Sequence, residues 1–432
     1  MNIRFYNARI LSMKENMDIT EGEVWVEGNR ISYVGPDRKS QVPPVWDREI
    51  DSCGNLLMPG FKNAHTHSAM TFLRSYADDL PLHEWLNTQV FPMEAKLIPE
   101  DIYWLTKLAI MEYLTSGITA DFDMYCHPEM TAKASVECGF RTVLVGCVNN
   151  FTSSLELMEK EYETFNHGHE LIRYVLGFHA EYTCSREILK GVAALAHKYQ
   201  APVFAHISET QDEVEQCVKR YGKTPPELLD SLGVFDYGGG GYHCIYMTDG
   251  DLDIFQKRGL FAVTNPGSNA KLASGIAPIS AMLKRGIPVA VGTDGPASNN
   301  CLDMFREMFL VTGLAKLRER DAAAVPAEEV LRMAAQTGAY AMGLQDCDCL
   351  AEGKLADLIM IDLHQPNMHP LNHIVKNIVY SGSKQNVKMA MVNGQVLYED
   401  GCFFIGEEPE EVYRRAGDII RRMVPSAPYR TE

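Results

Sequence analysis

The chain has 432 residues, of which 46% are hydrophobic and 22% are charged, the balance of an ordinary globular protein. Its formal net charge of −17 argues against nucleic acid and anionic membranes as partners, but not against a nucleoside. No apolar run approaches the roughly 18 residues of a membrane helix. The N-terminus lacks the plan of a signal peptide, and the eleven cysteines show no paired spacing. We therefore expect reduced thiols and a cytoplasmic location.

Short strand patterns occur near both ends of the chain. The early ones are Ile3–Tyr6, Glu23–Val26 and Arg30–Val34. The late ones are Asp357–Ile361, Lys388–Val392 and Gln395–Tyr398, with a hairpin turn at Asn393-Gly394. We expect residues 1–57 and 353–432 to form one small β-sandwich domain, with a terminal helix over Glu410–Met423.

Residues 58–352 alternate strand and helix patterns. The strand patterns are Leu56–His67, Ile118–Tyr125, Thr142–Asn149, Tyr174–Tyr182, Pro202–Ser208, Gly241–Met247, Leu260–Asn265 and Pro288–Thr293. This alternation predicts an α/β fold, a TIM-like (β/α)8 barrel. A doubly wound open sheet is the main alternative, and it is less favoured because no glycine-rich loop follows the first strand. The Gly238–Gly241 run is interpreted as a flexible turn before strand six.

His65-Thr66-His67 ends the first barrel strand. Residues i and i+2 of a strand point the same way, so two imidazoles converge at the end where barrel enzymes keep their active sites. The other pair, His167-Gly168-His169, lies in a polar stretch with no apolar run before it. We interpret that second pair as solvated surface and the first as two metal ligands.

Later strands supply partners at the same end of the barrel. They are His179 on strand four, His206 and Glu209 at strand five, His243 on strand six and Asp294 at strand eight. Three imidazoles and one carboxylate, with room for water, describe a catalytic zinc site. We predict that His65, His67, His206 and Asp294 hold one Zn²⁺ per chain, with Fe²⁺ or Mn²⁺ as alternatives.

The remaining polar groups suggest a reaction. Asp294 can accept a proton from the attacking water, His243 can donate beside it, and Glu209 can protonate a ring nitrogen of the substrate. Strand four has no lysine that could bridge two metals, which favours a single metal. This arrangement suits hydrolytic attack on an aromatic amidine carbon, with ammonia as the leaving group.

Several segments resemble the amidohydrolase superfamily over essentially the whole chain. They are Pro59–His67, Gly292–Asn300 and Gly353–Leu358. Within it, the chain resembles the 5′-methylthioadenosine/S-adenosylhomocysteine deaminases, on the strength of Glu84–Leu86, Glu94, Asn265–Asn269 and Gly275–Pro278.

This resemblance implies roles for individual residues. His65, His67, His206 and Asp294 would hold zinc, Glu209 and His243 would be catalytic, and His179 would contact the purine. Glu94 would accept hydrogen bonds from the ribose, while Trp85 and Ser298 would line the pocket for the 5′-substituent. Taken alone, Trp85 fits loop packing, Glu94 a solvated helix face and Ser298 a turn or helix cap.

One departure from the subfamily bears on the substrate. Members that deaminate S-adenosylhomocysteine use arginines on and just after strand three to hold its carboxylate. Here Arg141 opens that strand at the far end, and positions 145–154 contain no cation. A buried carboxylate without a partner is costly, so we expect a neutral 5′-substituent: methylthio, hydrogen or hydroxyl.

Other functions fit parts of the same pattern. One is deamination of another ring, such as guanine, a pterin, cytosine or a triazine. Another is hydrolysis of a cyclic amide at a binuclear site, and a third is a non-catalytic barrel that serves as a scaffold. Each is compatible with a homo-oligomer.

Overall fold

The structure, a computed structural model, describes residues 1–38, 45–76 and 78–424. The strands in these residues are β1 (Asn2–Leu11), β2 (Ile19–Glu27), β3 (Arg30–Gly35), β4 (Arg48–Asp51), β5 (Leu56–Pro59), β6 (Phe61–Thr66), β7 (Ile118–Asp123), β8 (Arg141–Val145), β9 (Ile172–Ala180), β10 (Val203–Ile207), β11 (Gly239–His243), β12 (Phe261–Thr264), β13 (Val289–Val291), β14 (Leu358–Ile361), β15 (Val387–Val392), β16 (Gln395–Glu399) and β17 (Cys402–Phe403).

The helices in the same residues are α1 (Leu82–Trp85), α2 (Phe91–Glu94), α3 (Pro99–Thr115), α4 (Pro128–Cys138), α5 (Leu155–Phe165), α6 (Arg186–Tyr199), α7 (Gln211–Tyr221), α8 (Pro225–Ser231), α9 (Asp249–Arg258), α10 (Pro266–Lys271), α11 (Ile279–Lys284), α12 (Met304–Glu319), α13 (Ala327–Arg332), α14 (Gly338–Ala341), α15 (Ile374–Tyr380) and α16 (Pro409–Met423). No helix in these residues is both long enough and apolar enough to cross a bilayer.

Strands β6 to β13 form one parallel sheet in chain order, each paired with its neighbours in sequence. The sheet closes between its first and last strands. The Asp294 amide donates to the His65 carbonyl over 3.0 Å, and the Asn63 side chain bonds both the amide and the hydroxyl of Thr293. The predicted (β/α)8 barrel is confirmed.

The prediction of one continuous first strand over Leu56–His67 is wrong. Leu56–Pro59 belongs to the sheet of the chain ends, pairing with β1 and β14, whereas Phe61–Thr66 belongs to the barrel. Gly60 separates them, and its amide donates to the Asp357 carbonyl over 3.1 Å. A Cβ at Gly60 would lie 2.2 Å from a side-chain carbon of Thr119, so the chain can pass between the two sheets here only as glycine.

The interpretation of Gly238–Gly241 as a flexible turn is also wrong. Residues 239–241 are the first part of β11, in the barrel wall. A Cβ on Gly239 would lie 1.9 Å from the Val203 carbonyl oxygen, and one on Gly240 2.3 Å from that of Phe261. The glycines therefore allow close approach of neighbouring strands rather than flexibility.

The chain ends form the predicted small β-domain. Its strand order is β17-β16-β15-β14-β5-β1-β2-β3, with β4 alongside β1. The helix predicted over 410–423 is present as α16, and its Ile419, Ile420 and Met423 pack in one buried cluster with Trp85. The domain boundaries at residues 57 and 353 stay predictions.

A buried ion pair joins the barrel to this β-domain. Arg141, at the start of β8, reaches both carboxylate oxygens of Asp357 over 2.7 and 3.0 Å. Both side chains are almost fully buried. The position confirms that Arg141 points away from the mouth of the barrel.

Replacing one partner of this pair leaves an uncompensated buried charge. We expect Arg141→Met to lower the free energy of unfolding by about 3–5 kcal/mol, measured by urea denaturation. The exposed pair of Lys198 and Glu159 provides the control, because Lys198→Met should cost less than about 1 kcal/mol. Equal effects of the two substitutions would contradict the structural role of Arg141.

Candidate metal centre and active site

The predicted ligands meet at the carboxyl ends of the barrel strands. His65 Nε2 and His67 Nε2 lie 3.6 and 3.3 Å from Asp294 Oδ1. The ring centroids of His65 and His206 are 4.8 Å apart, and His243 Nε2 lies 3.9 Å from Asp294 Oδ2. Two triads with ligand atoms within 4.8 Å share His65: one with His206 and His243, the other with His67 and Asp294.

Each of three imidazoles is oriented by a hydrogen bond at Nδ1. His67 donates to the Met124 carbonyl over 2.5 Å and His206 to the His179 carbonyl over 2.7 Å. His243 pairs with Asn269 Oδ1 over 2.8 Å. Because an oxygen acceptor at Nδ1 requires the proton there, each of these rings presents a lone pair at Nε2 in its neutral form. This is how histidine ligands are held around a metal.

The donor set fits a divalent metal ion. His65 is fully buried, and neither of its ring nitrogens has a hydrogen-bond partner in the described part of the chain. Burial holds the pKa of His65 and of His206 well below the usual range, so both rings are neutral. Burial works to raise the pKa of Asp294, but the hydrogen bond from His67 and the charges of the surrounding imidazoles together hold that pKa well below its usual range. Against the effect of burial, the same contact raises the pKa of His67 to about 9. Neutral imidazoles beside a carboxylate are zinc-type ligands.

Two of these residues have left-handed backbones. The φ angles of His243 and Asp294 are 69° and 57°. Both residues lie where a barrel strand stops, and the turn of the chain aims their side chains into the mouth. The Asp294 carboxylate is further held by the Gly295 amide, which donates to Oδ1 over 2.7 Å.

Glu209 lies beside the centre, two residues beyond β10. Its Oε2 is 3.8 Å from His243 Nε2, and its Oε1 accepts a hydrogen bond from Ser274 Oγ over 3.3 Å. Burial raises the pKa of Glu209, which favours its protonated form. A buried carboxyl group that holds a proton is a general acid.

The predicted substrate residues occupy different settings. Glu94 accepts a hydrogen bond from Tyr125 Oη over 2.7 Å, and the Tyr125 ring lies 6.4 Å from that of His67. His179 lies next to the centre, with its ring 4.9 Å from that of His206. Trp85 is buried in the cluster beneath α16, and the Ser298 hydroxyl donates to the Gly295 carbonyl over 3.1 Å. Their substrate contacts stay predictions.

A cavity of about 460 Å³ is lined in part by Tyr125, whose ring lies 6.4 Å from that of His67. Its lining includes Cys147 at the end of β8 and Lys160 and Glu161 on α5. The sequence pattern did not indicate Lys160, because this residue lies beyond positions 145–154, on the helix α5 that follows β8.

Three more supporting residues were missed. Ser274, Asn269 and Tyr125 touch Glu209, His243 and Glu94, respectively. Asn269 stands in a segment that carried the resemblance, but nothing in the sequence linked it to His243. Long-range side-chain partners of this kind leave no local pattern. The second His-x-His pair, by contrast, is exposed as predicted.

The closed parallel barrel, with histidines and carboxylates at its carboxyl ends, defines a barrel hydrolase built around a metal. The chain belongs to the amidohydrolase family, whose model matches residues 56–397. It is a metal-dependent hydrolase.

Individual relatives cover nearly the whole chain. It is 38% identical to a 5-methylthioadenosine/S-adenosylhomocysteine deaminase of Thermoanaerobacter pseudethanolicus, over 98% of this chain and 100% of the relative. It is also 38% identical to a 5′-deoxyadenosine deaminase of Methanothermobacter thermautotrophicus, over 90% and 92%. The crystal structure of an adenosine deaminase from Xanthomonas campestris with bound zinc matches with a TM-score of 0.92 and 31% identity, over 98% of each chain.

Metal retention tests the assignment of the first His-x-His pair. We expect His67→Ala to lose most of its metal on dialysis, because the substitution removes a ligand nitrogen. The exposed His167→Ala variant is the control and should keep the wild-type metal content, measured by elemental analysis. Equal metal contents in the two variants would rule out His67 as a ligand.

Proposed function

We propose that the protein hydrolytically deaminates an adenine nucleoside, releasing ammonia and the matching inosine analogue. The substrates proposed are 5′-methylthioadenosine, 5′-deoxyadenosine and adenosine, with S-adenosylhomocysteine less favoured. The observation that carries the proposal is the buried Glu209 carboxyl group, 3.8 Å from His243 Nε2 and next to the predicted ligands. We propose one Zn²⁺ per chain, held by His65, His67, His206 and Asp294.

The residues divide the proton transfers between them. The metal, when bound, activates water as a nucleophile near neutral pH. Glu209 donates its proton to the purine N1 as the water oxygen adds to C6, and Asp294 accepts the proton lost by that water. Asp294 returns that proton to the amino group, and the C6–N6 bond breaks with its electron pair leaving on nitrogen as ammonia. The proton of the C6 hydroxyl passes to the Glu209 carboxylate as the C6 carbonyl forms. His243, with a proton on Nε2 as well as on Nδ1, donates a hydrogen bond beside the adding oxygen.

The surroundings of Glu94 favour a nucleoside over a free base. Burial raises the pKa of Glu94, while the Tyr125 hydroxyl holds one of its oxygens. The structure shows a hydrogen bond to only one oxygen of Glu94 among the described residues, and a half-buried carboxylate of this kind suits a pair of sugar hydroxyls. A free guanine, pterin, cytosine or triazine has no ribose to offer it. This supports a substrate with an intact ribose.

A panel assay tests the proposal. Ammonia release is measured for adenosine, its 5′-deoxy and 5′-methylthio analogues, adenine, guanine and cytosine, with metal content determined on the same sample. We expect turnover of the nucleosides, and a kcat about 10²- to 10⁴-fold lower in Glu209→Gln. The exposed Glu215→Gln variant is the control. Faster turnover of a free base, or full activity in Glu209→Gln, would overturn the proposal.

The 5′-substituent gives a separate prediction. Lys160 lines the cavity together with two acidic residues, Glu129 and Glu161, so the lining does not favour an anionic group. We expect kcat/KM to be higher for 5′-methylthioadenosine than for S-adenosylhomocysteine. Any residual activity on S-adenosylhomocysteine should fall in Lys160→Met, because that substitution removes a lysine of the cavity lining that could pair with the carboxylate of this substrate.

The same variant should leave 5′-methylthioadenosine unaffected. Lys190→Met, an exposed lysine on α6, serves as the matched control for both substrates. A tenfold or greater preference for S-adenosylhomocysteine in the wild-type protein would refute the expectation of a neutral substituent.

A further inference from the structure

Three consecutive helices begin with the same short motif. It reads Thr-x-x-Glu or Thr-x-x-Asp, and it occurs at Thr210–Glu213, Thr224–Glu227 and Thr248–Asp251, at the starts of α7, α8 and α9. In each, the threonine hydroxyl accepts a hydrogen bond from the amide of the acidic residue. This is one half of a capping box.

The other half differs between these helices. The Glu227 carboxylate accepts from the amide of its own cap residue, Thr224, over 2.9 Å. Asp251 does the same with Thr248 over 2.8 Å. Both therefore close an ordinary capping box, in which the carboxylate satisfies the free amide of the cap residue.

Glu213 reaches past its cap residue. Its Oε1 accepts from the Ser208 amide and its Oε2 from the Glu209 amide, each over 2.8 Å. The side chain is buried. Two buried hydrogen bonds to successive amides fix the direction of the backbone between them. That backbone carries the Glu209 carboxyl group.

The turn that is held in this way is strained. Ser208 has a φ of 52°, a left-handed conformation that a residue with a Cβ rarely adopts. Its own hydroxyl has no hydrogen-bond partner in the described part of the chain, so its side chain does not hold the turn. The Ser208 carbonyl accepts from the amides of Ile245 and Tyr246, which fixes the turn from the opposite side.

We propose that Glu213 is a positioning residue for the deamination: its carboxylate clamps the Ser208–Glu209 turn and thereby places the Glu209 carboxyl group beside His243. The inference rests on the proposed function, since it concerns the acid of that reaction. It gives Glu213 a role in turnover that Glu227, with the same motif on the next helix, lacks.

The test compares matched glutamate-to-glutamine variants. Glu213→Gln keeps one carbonyl acceptor but turns an NH₂ group toward the second amide, so one clamp bond is lost. We expect kcat to fall about 10- to 100-fold, because a small displacement of a reacting group costs this much. KM should stay within about twofold and metal content should stay unchanged. Glu227→Gln should lower Tm to a similar extent and leave kcat intact.

A rescue variant separates positioning from general loss of stability. Glycine adopts a left-handed φ without strain, and Ser208→Gly removes no hydrogen bond of the side chain. In the Glu213→Gln background it should restore at least about threefold of the lost kcat, by letting the turn form without the clamp. If Glu213→Gln alone does not fold, Glu213→Asp, which keeps both acceptor oxygens on a side chain one carbon shorter, takes its place in the comparison of kcat.

The outcomes are distinct. A wild-type protein that releases no ammonia from any nucleoside removes the proposed function itself. An active wild-type protein with equal kcat in Glu213→Gln and Glu227→Gln, both folded and metal-loaded, refutes the role of Glu213. A double variant, Ser208→Gly with Glu213→Gln, whose kcat is no higher than that of Glu213→Gln alone refutes it as well.

Discussion

Closure of the barrel is the constraint on which the site depends. The last strand, β13, is short, and the junction with β6 is completed beyond its end by the Asp294 amide on the His65 carbonyl. The residues of this hydrogen bond are the two whose side chains face each other across the centre. Closing the sheet and bringing together an imidazole and a carboxylate are therefore one event. Once the barrel has closed, no other element is needed to bring His65 and Asp294 together. The remaining strands supply the other side chains of the centre.

Around that junction, most of the predicted ligand and substrate-binding side chains are oriented by a hydrogen bond to another group. Backbone carbonyls orient His67 and His206, and side-chain oxygens orient His243 and Glu94. His65 is the exception: it stacks on Tyr242, with ring centroids 3.7 Å apart, and has no hydrogen-bond partner in the described part of the chain. Neighbouring strands and helices thus prepare the geometry before a ligand arrives, and preparation of this kind is what makes polar groups effective in a buried site.

The sequence predicted the barrel and the meeting of the histidines well, because both follow from periodicity and from the common direction of parallel strands. It failed where tertiary contact decides. Gly60 divides an apolar run into strands of two different sheets, and only the packing of Thr119 shows why. Gly239 and Gly240 look like a turn but stand in a strand, since neighbouring backbones leave no space for a Cβ. Asn269, Ser274 and Tyr125 were missed because their partners are distant in sequence.

The residues with left-handed backbones at the strand ends lower the stability of the fold while they place groups of the site. Ser208, His243 and Asp294 each adopt a conformation that costs an L-residue about 1–2 kcal/mol, in a fold whose whole margin is on the order of 5–15 kcal/mol. Glycine at any of these three positions would relieve the backbone strain. At His243 or Asp294 it would also remove an imidazole or a carboxylate from the centre. Selection for thermal stability alone would therefore favour glycine at these positions, at the expense of the site. At His243 and Asp294 the strained backbone therefore carries a side chain of the centre that glycine could not supply.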